Sequence, residues 1–96
     1  MAKHELKTKS GFVFSVDDKN IFDMRTVDAL VAMQDEALSE AERSVSLVRA
    51  IRFLLGEKQK DALFSHIAKK HGNAEPYAVG QEFKEILLLL EGDKKK

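Results

Sequence analysis

The side chains able to carry chemistry in this chain are few in kind. Three histidines and sixteen carboxylates are present and cysteine is absent, which removes disulfides, thiolate metal sites and cysteine nucleophiles together. His66 and His71 stand five positions apart. On a helix that spacing turns them about 140° away from each other, whereas paired ligands on one face need a separation of three or four. His71 reads better as a residue complementing a helix end, and His4 has no partner assigned to it. Ser10, Ser15, Ser39, Ser44, Ser46 and Ser65 lack the Gly-x-Ser-x-Gly setting that exposes a nucleophile on a sharp turn. Asp17-Asp18 and Asp35-Glu36 are adjacent pairs whose side chains diverge, which suits solvated charges rather than shared acid–base work. Gly11, Gly56, Gly72, Gly80 and Gly92 are scattered, so no phosphate cradle forms. The chain reads as non-enzymatic, with no catalytic residue, metal ligand or cofactor site expected.

Binding is the remaining class. Sixteen basic residues balance the sixteen acidic ones, but they are segregated. Acids crowd residues 17–42, while Arg43, Arg49, Arg52, Lys58, Lys60, Lys69 and Lys70 make 43–71 basic. That basic block spans two helical segments joined at Gly56, a superficial helix-turn-helix. Glu57 and Asp61 at its second segment would oppose phosphate contacts, and the balanced total counts against nucleic acid. The longest apolar run, Ile86 to Leu90, falls far short of the roughly 20 residues of a membrane span. The opening Met-Ala-Lys-His-Glu-Leu-Lys has no apolar h-region, so a cytoplasmic location is expected.

The elements that must position any binding surface follow from hydrophobic period. Phe12, Phe14 and Val16 alternate with Val13 and Ser15, and Lys9-Ser10-Gly11 supplies a turn, predicting a hairpin over about 4–16 with His4–Thr8 as the partner strand. Asp17-Asp18-Lys19-Asn20 reads as a polar turn. A helix is predicted over 26–38 from Val27, Leu30, Val31, Met33, Ala37 and Leu38, with Thr26 as N-cap. Ser39 and Glu42 have capping-box spacing before a helix over 40–55, whose apolar side is Ala41, Val45, Val48, Ile51, Leu54 and Leu55. Gly56 suits its left-handed C-cap. A helix over 57–71 places Lys60, Leu63, Phe64, Ile67 and His71 on one side and closes at Gly72. The last helix, 76–91, starts at Pro76 and carries the stripe Val79, Phe83, Ile86, Leu87 and Leu90. The expectation is one α+β domain over 1–92, a hairpin packed on three to four mostly antiparallel helices, then a flexible lysine-rich tail over 93–96.

Two features do not fit a simple amphipathic pattern. Leu88 and Leu89 lie outside the stripe of the last helix, leaving its end apolar nearly all round. Either the rest of the chain covers it, or another chain does. Phe53 projects toward Ser46 and Arg49 on the polar side of its helix, as a partner contact or a core aromatic. Phe53, Leu87, Leu88, Leu89 and Leu90 are therefore the candidate partner-binding surface.

Three stretches resemble the small tail assembly chaperones of long-tailed phages and Gram-positive prophages. Ser10-Gly11-Phe12-Val13-Phe14-Ser15-Val16-Asp17 is similar to that family's N-terminal strand. Val48 through Gln59, ending Leu55-Gly56-Glu57-Lys58-Gln59, is similar to its leucine-rich helix closing in Leu-Gly-Glu-x-Gln. Ile67 to Ala74, with Ala78 to Ile86, is similar to its short helix, turn and final helix. The chain departs from the pattern at Lys70-His71-Gly72, where an acidic residue usually precedes the glycine, and Phe22 stands where a tryptophan is often found. The resemblance implies a non-catalytic assembly factor that coats the tape measure protein before the tail tube polymerises and is absent from the finished particle. It names the tape measure protein as partner and the tail tube protein as a second candidate; self-association through the last helix is a third contact, suggested by the apolar end of that helix. It also implies a longer product made by ribosomal slippage, for which Lys94-Lys95-Lys96 is a suitable place; an ordinary solubilising tail reads the same way. The alternatives are a small DNA-binding regulator using 43–71 and a minor structural phage protein.

Overall fold

In a computed structural model, which describes residues 3–94, an antiparallel hairpin is followed by five helices. The strands are β1 (Lys3–Lys7) and β2 (Val13–Asp17), and the helices are α1 (Asp18–Ile21), α2 (Met24–Met33), α3 (Glu40–Leu55), α4 (Glu57–His71) and α5 (Pro76–Lys94). The α+β expectation holds. His4 pairs with Val16 and Leu6 with Phe14, so one hairpin face carries His4, Leu6, Thr8, Phe12, Phe14 and Val16 inward. Gly11 turns the chain at φ 98°, a conformation that favours glycine. The helices cover that face, and Phe14, Val16, Ile51, Leu54, Leu63, Phe83 and Ile86 form the centre of the core.

Several boundaries differ from the periodicity. The helix expected over 26–38 is α2, shifted and shortened. Asp23, not Thr26, is its N-cap: its carboxylate accepts the Arg25 backbone N–H at 2.8 Å and pairs with the Arg25 guanidinium at 2.7 Å. A carboxylate is the better cap, and Arg25 holds Asp23 down to about 2. At the other end, Asp35 accepts the Ala37 backbone N–H at 2.9 Å, an Asx turn that competes with helix, so Ala37 and Leu38 leave the stripe. The polar cluster at 17–20 contains the single helical turn α1 rather than a loop.

The second helix keeps its predicted limits. Ser39 and Glu42 form the full capping box, each accepting the other's backbone N–H at 3.1 Å. Its buried face, however, is Ser46, Leu47, Ala50, Ile51, Leu54 and Leu55, while Ala41 and Val45 face out. Gly56, at φ 87° and ψ 163°, is at once the C-cap of α3 and the N-cap of α4; its extended ψ is not the left-handed helical cap expected. Gly72 does take that conformation. The last helix runs three residues past its expected end, so Asp93 belongs to α5 rather than to a tail. Lys95 and Lys96 lie outside the described residues.

Candidate partner-binding site

The five leucine and phenylalanine candidates do not share one surface. Leu87 and Leu90 come together in an apolar cleft of about 400 Å³ with Ile21, Thr26, Leu30, Leu54 and Glu91. Leu90 is only 3% exposed and belongs to the core. Leu89 is half-buried against that core. Leu88, 60% exposed, points elsewhere, into a shallow hollow with Tyr77, Ala78 and Lys84. Phe53 is half-buried on α3, with the Arg25 guanidinium 5.1 Å above its ring, a cation–π contact that fills the gap between α2 and α3. The apolar excess at the end of α5 is thus divided: the same chain covers most of it, and Leu87 and Leu88 open onto different faces.

The apolar cleft has one polar feature. Thr26 is 1% exposed, and its Oγ1 has no hydrogen-bond partner. Sequence reading placed this hydroxyl at a cap; because Asp23 takes that role, Thr26 moves into the first turn and is buried. Ile21, Leu30 and Leu54 read as short-range or core hydrophobes in the sequence, and nothing in their spacing marks them as cleft walls.

A second cleft, of about 660 Å³, lies between α3 and the start of α5. Met33, Glu40, Arg43, Ser44, Leu47, Tyr77 and Gly80 are among its walls. Arg43 is partly buried there and its Nε is buried without a hydrogen-bond partner. Thr26 Oγ1 and Arg43 Nε are the buried side-chain polar atoms without partners among the described residues.

Elsewhere the polar groups are matched. Gln59 of α4 accepts the Ser15 backbone N–H and donates to the Ser15 carbonyl, both at 2.7 Å, occupying the free edge of β2 as a neighbouring strand would. Glu57 holds Arg52 at 2.9 Å and Lys60 at 2.5 Å, and Lys60 is buried. The carboxylate of Glu57 raises Lys60, and Lys60 in turn lowers Glu57. Two cations of the basic block are therefore paired within the chain, Lys60 buried and Arg52 at the surface. Thr8 and Ser10 each donate to Glu82 at 2.7 Å, and His66 Nε2 lies 2.9 Å from Ser10 Oγ. This differs from a catalytic triad, in which the acid orients the histidine; here it takes the serine proton, so His66 donates to Ser10 and the group pins the hairpin turn.

His4 shows the largest difference from its reading. The ring is 9% exposed and donates from Nδ1 to Asp93 of α5 and from Nε2 to Asp18 of α1, each at 2.5 Å. Hydrogen bonding to Asp93, then to Asp18, raises its pKa above 6.5, favouring the imidazolium. No local pattern marks this contact, because His4 and Asp93 lie 89 positions apart.

Among the described residues no group of three or more potential ligands is placed to hold a metal, and no helix is long and apolar enough to cross a membrane. Compared with known proteins, the chain matches no family model, no curated protein and no solved structure.

Proposed function

We propose that this protein is a non-catalytic assembly factor that shelters an apolar helical stripe of a partner, the tape measure protein of a phage or prophage tail, in the host cytoplasm. The observation that carries the reading is the apolar cleft lined by Leu30, Leu54, Leu87 and Leu90. Clefts between helices with leucine walls suit the apolar face of an amphipathic helix. The resemblance of 10–91 to tail assembly chaperones supplies the partner's name.

Co-expression with the tape measure protein tests it. The wild-type chain is expected to co-purify with that protein and keep it soluble, and Leu87→Gln to lose it while a thermal melt stays cooperative. Leu88→Glu, on the other face, retains the complex. A tape measure protein that is equally insoluble with and without the chain would sink the proposal. So would steep, salt-sensitive retention of the chain on DNA, which belongs to a regulator acting through 43–71, or its detection by mass spectrometry in purified virions.

A further inference from the structure

His4 joins three elements at one point. From β1 its ring donates through Nε2 to Asp18 of α1 and through Nδ1 to Asp93 of α5, each at 2.5 Å. The same two helices wall the apolar cleft. Ile21 lines it from the end of the single turn that Asp18 begins, and Leu87, Leu90 and Glu91 line it from within two turns of Asp93.

We propose that the imidazole of His4 is a proton-operated latch on this cleft. Charged, it ties the last turn of α5 to α1 and keeps the cleft closed; neutral, it releases Asp93, and the last turn of α5 unwinds to open the cleft. The device concerns access to the cleft and stands apart from the identity of any partner.

The argument begins with the ring. Only the imidazolium has two N–H donors; the neutral ring keeps one and presents a lone pair at its other nitrogen. With a carboxylate oxygen 2.5 Å from each nitrogen, loss of the proton sets that lone pair against an anion, and one arm must part. The arm to Asp18 is held, because Asp18 follows directly on β2, whose Val16 pairs with His4 in the hairpin. The arm to Asp93 is the weaker. Asp93 lies in the final turn of α5, where the carbonyl end of the helix dipole disfavours a carboxylate, and it follows Gly92, an exposed and weak helix former. Unwinding that turn reaches Leu90, which is 3% exposed in the closed form.

Among the described residues, the charged groups acting on the ring are Asp93 and Asp18, and both raise its pKa above 6.5. Val16 stands opposite it on β2, while Lys3, Glu5 and Asp17 project from the other hairpin face. A raised folded value keeps the latch closed below pH 6.5 and opens it as the pH rises through that value.

Amide hydrogen exchange on the full chain, corrected for the intrinsic pH dependence of exchange, tests the latch, with the His4 ring titrated by NMR in the same samples. Protection of the Leu90–Asp93 amides is expected to fall roughly tenfold with the midpoint of the ring titration. Ile51, fully buried in α3, is expected to stay better protected at every pH, which marks the opening as local. Emission of the apolar dye Nile red is expected to rise with the same midpoint. His4→Gln should leave the end of α5 unprotected and the dye bright across the whole range. Asp93→Asn changes a partly exposed side chain in the last turn and should give the same open state without disturbing the hairpin. Protection that does not change through the ring titration overturns the proposal. So does a change of equal size that persists in Asp93→Asn, protection at the end of α5 equal to that of Ile51, or a dye signal that stays flat.

Discussion

The hairpin side of the molecule and the seam over α3 treat their buried polar groups in opposite ways. Where β1, β2, α4 and the middle of α5 meet, Thr8 is 2% exposed and donates to Glu82 while accepting the Phe12 backbone N–H at 3.1 Å. Ser10, Ser15, Gln59 and His66 are likewise matched. Where α2, α3 and α5 meet, Thr26 is as deeply buried and has no partner, and Arg43 Nε repeats the pattern. The same residue type at the same depth is satisfied on one side and orphaned on the other. A matched group on the first side holds elements together; an unmatched one on the second forms no hydrogen bond within the chain.

Four changes test that contrast. Phe14→Ala breaks the hairpin side outright: the ring is 2% exposed and faces the helices, and its loss is expected to cost about 3–5 kcal/mol of unfolding free energy by urea denaturation. Thr8→Val keeps the shape but orphans the Phe12 N–H and leaves Glu82 with the Ser10 hydroxyl alone, for an expected cost of about 1–3 kcal/mol in the same assay. Next comes pH. His4 has its pKa raised by Asp93 and Asp18, so its contribution is complete below its unfolded value of 6.5 and is lost as pH rises through the higher folded value. Urea midpoints should therefore fall as the pH rises above 6.5 and through the raised folded value, and His4→Gln should flatten that slope. The smallest effect sharpens the comparison most. Thr26→Val is expected to leave stability within about 0.5 kcal/mol of wild type or to raise it, because no hydrogen bond is lost. A cost at Thr26 equal to that at Thr8 would abolish the distinction between the two sides.

Local signals carried the fold and long-range ones did not. The alternation Phe12-Phe14-Val16, the Ser39–Glu42 box and Gly72 each act within a few residues, and each formed as their spacing predicted. The limits of α2 were set by a competition among neighbouring caps, Asp23 against Thr26 and Asp35 against helix, which periodicity does not weigh. The helical wheel of α3 was off by part of a turn because Ser46, a polar residue, packs inward while Val45 faces solvent. The leucines of the last helix were legible as an excess, but their division between Leu87 and Leu88 depends on where α2 lies. The stretch Leu55-Gly56-Glu57-Lys58-Gln59 gains a physical account: Gly56 makes the corner, Glu57 gathers Arg52 and Lys60, and Gln59 caps the strand edge. Arg43 was visible only as one cation in a basic block, since burial of a single nitrogen is a property of the assembled seam.

The His4–Asp93 contact joins residues 89 positions apart. Closing so long a loop is rewarded only after the intervening elements are in place, so this contact forms late, after the local α3–α4 corner and its capping box. Interactions absent from the folding transition state act on the unfolding rate and leave the folding rate alone. Protonation of one imidazole is therefore expected to act on how long the native chain persists rather than on how fast it is reached: raising the pH should speed unfolding in stopped-flow measurements and leave refolding times unchanged.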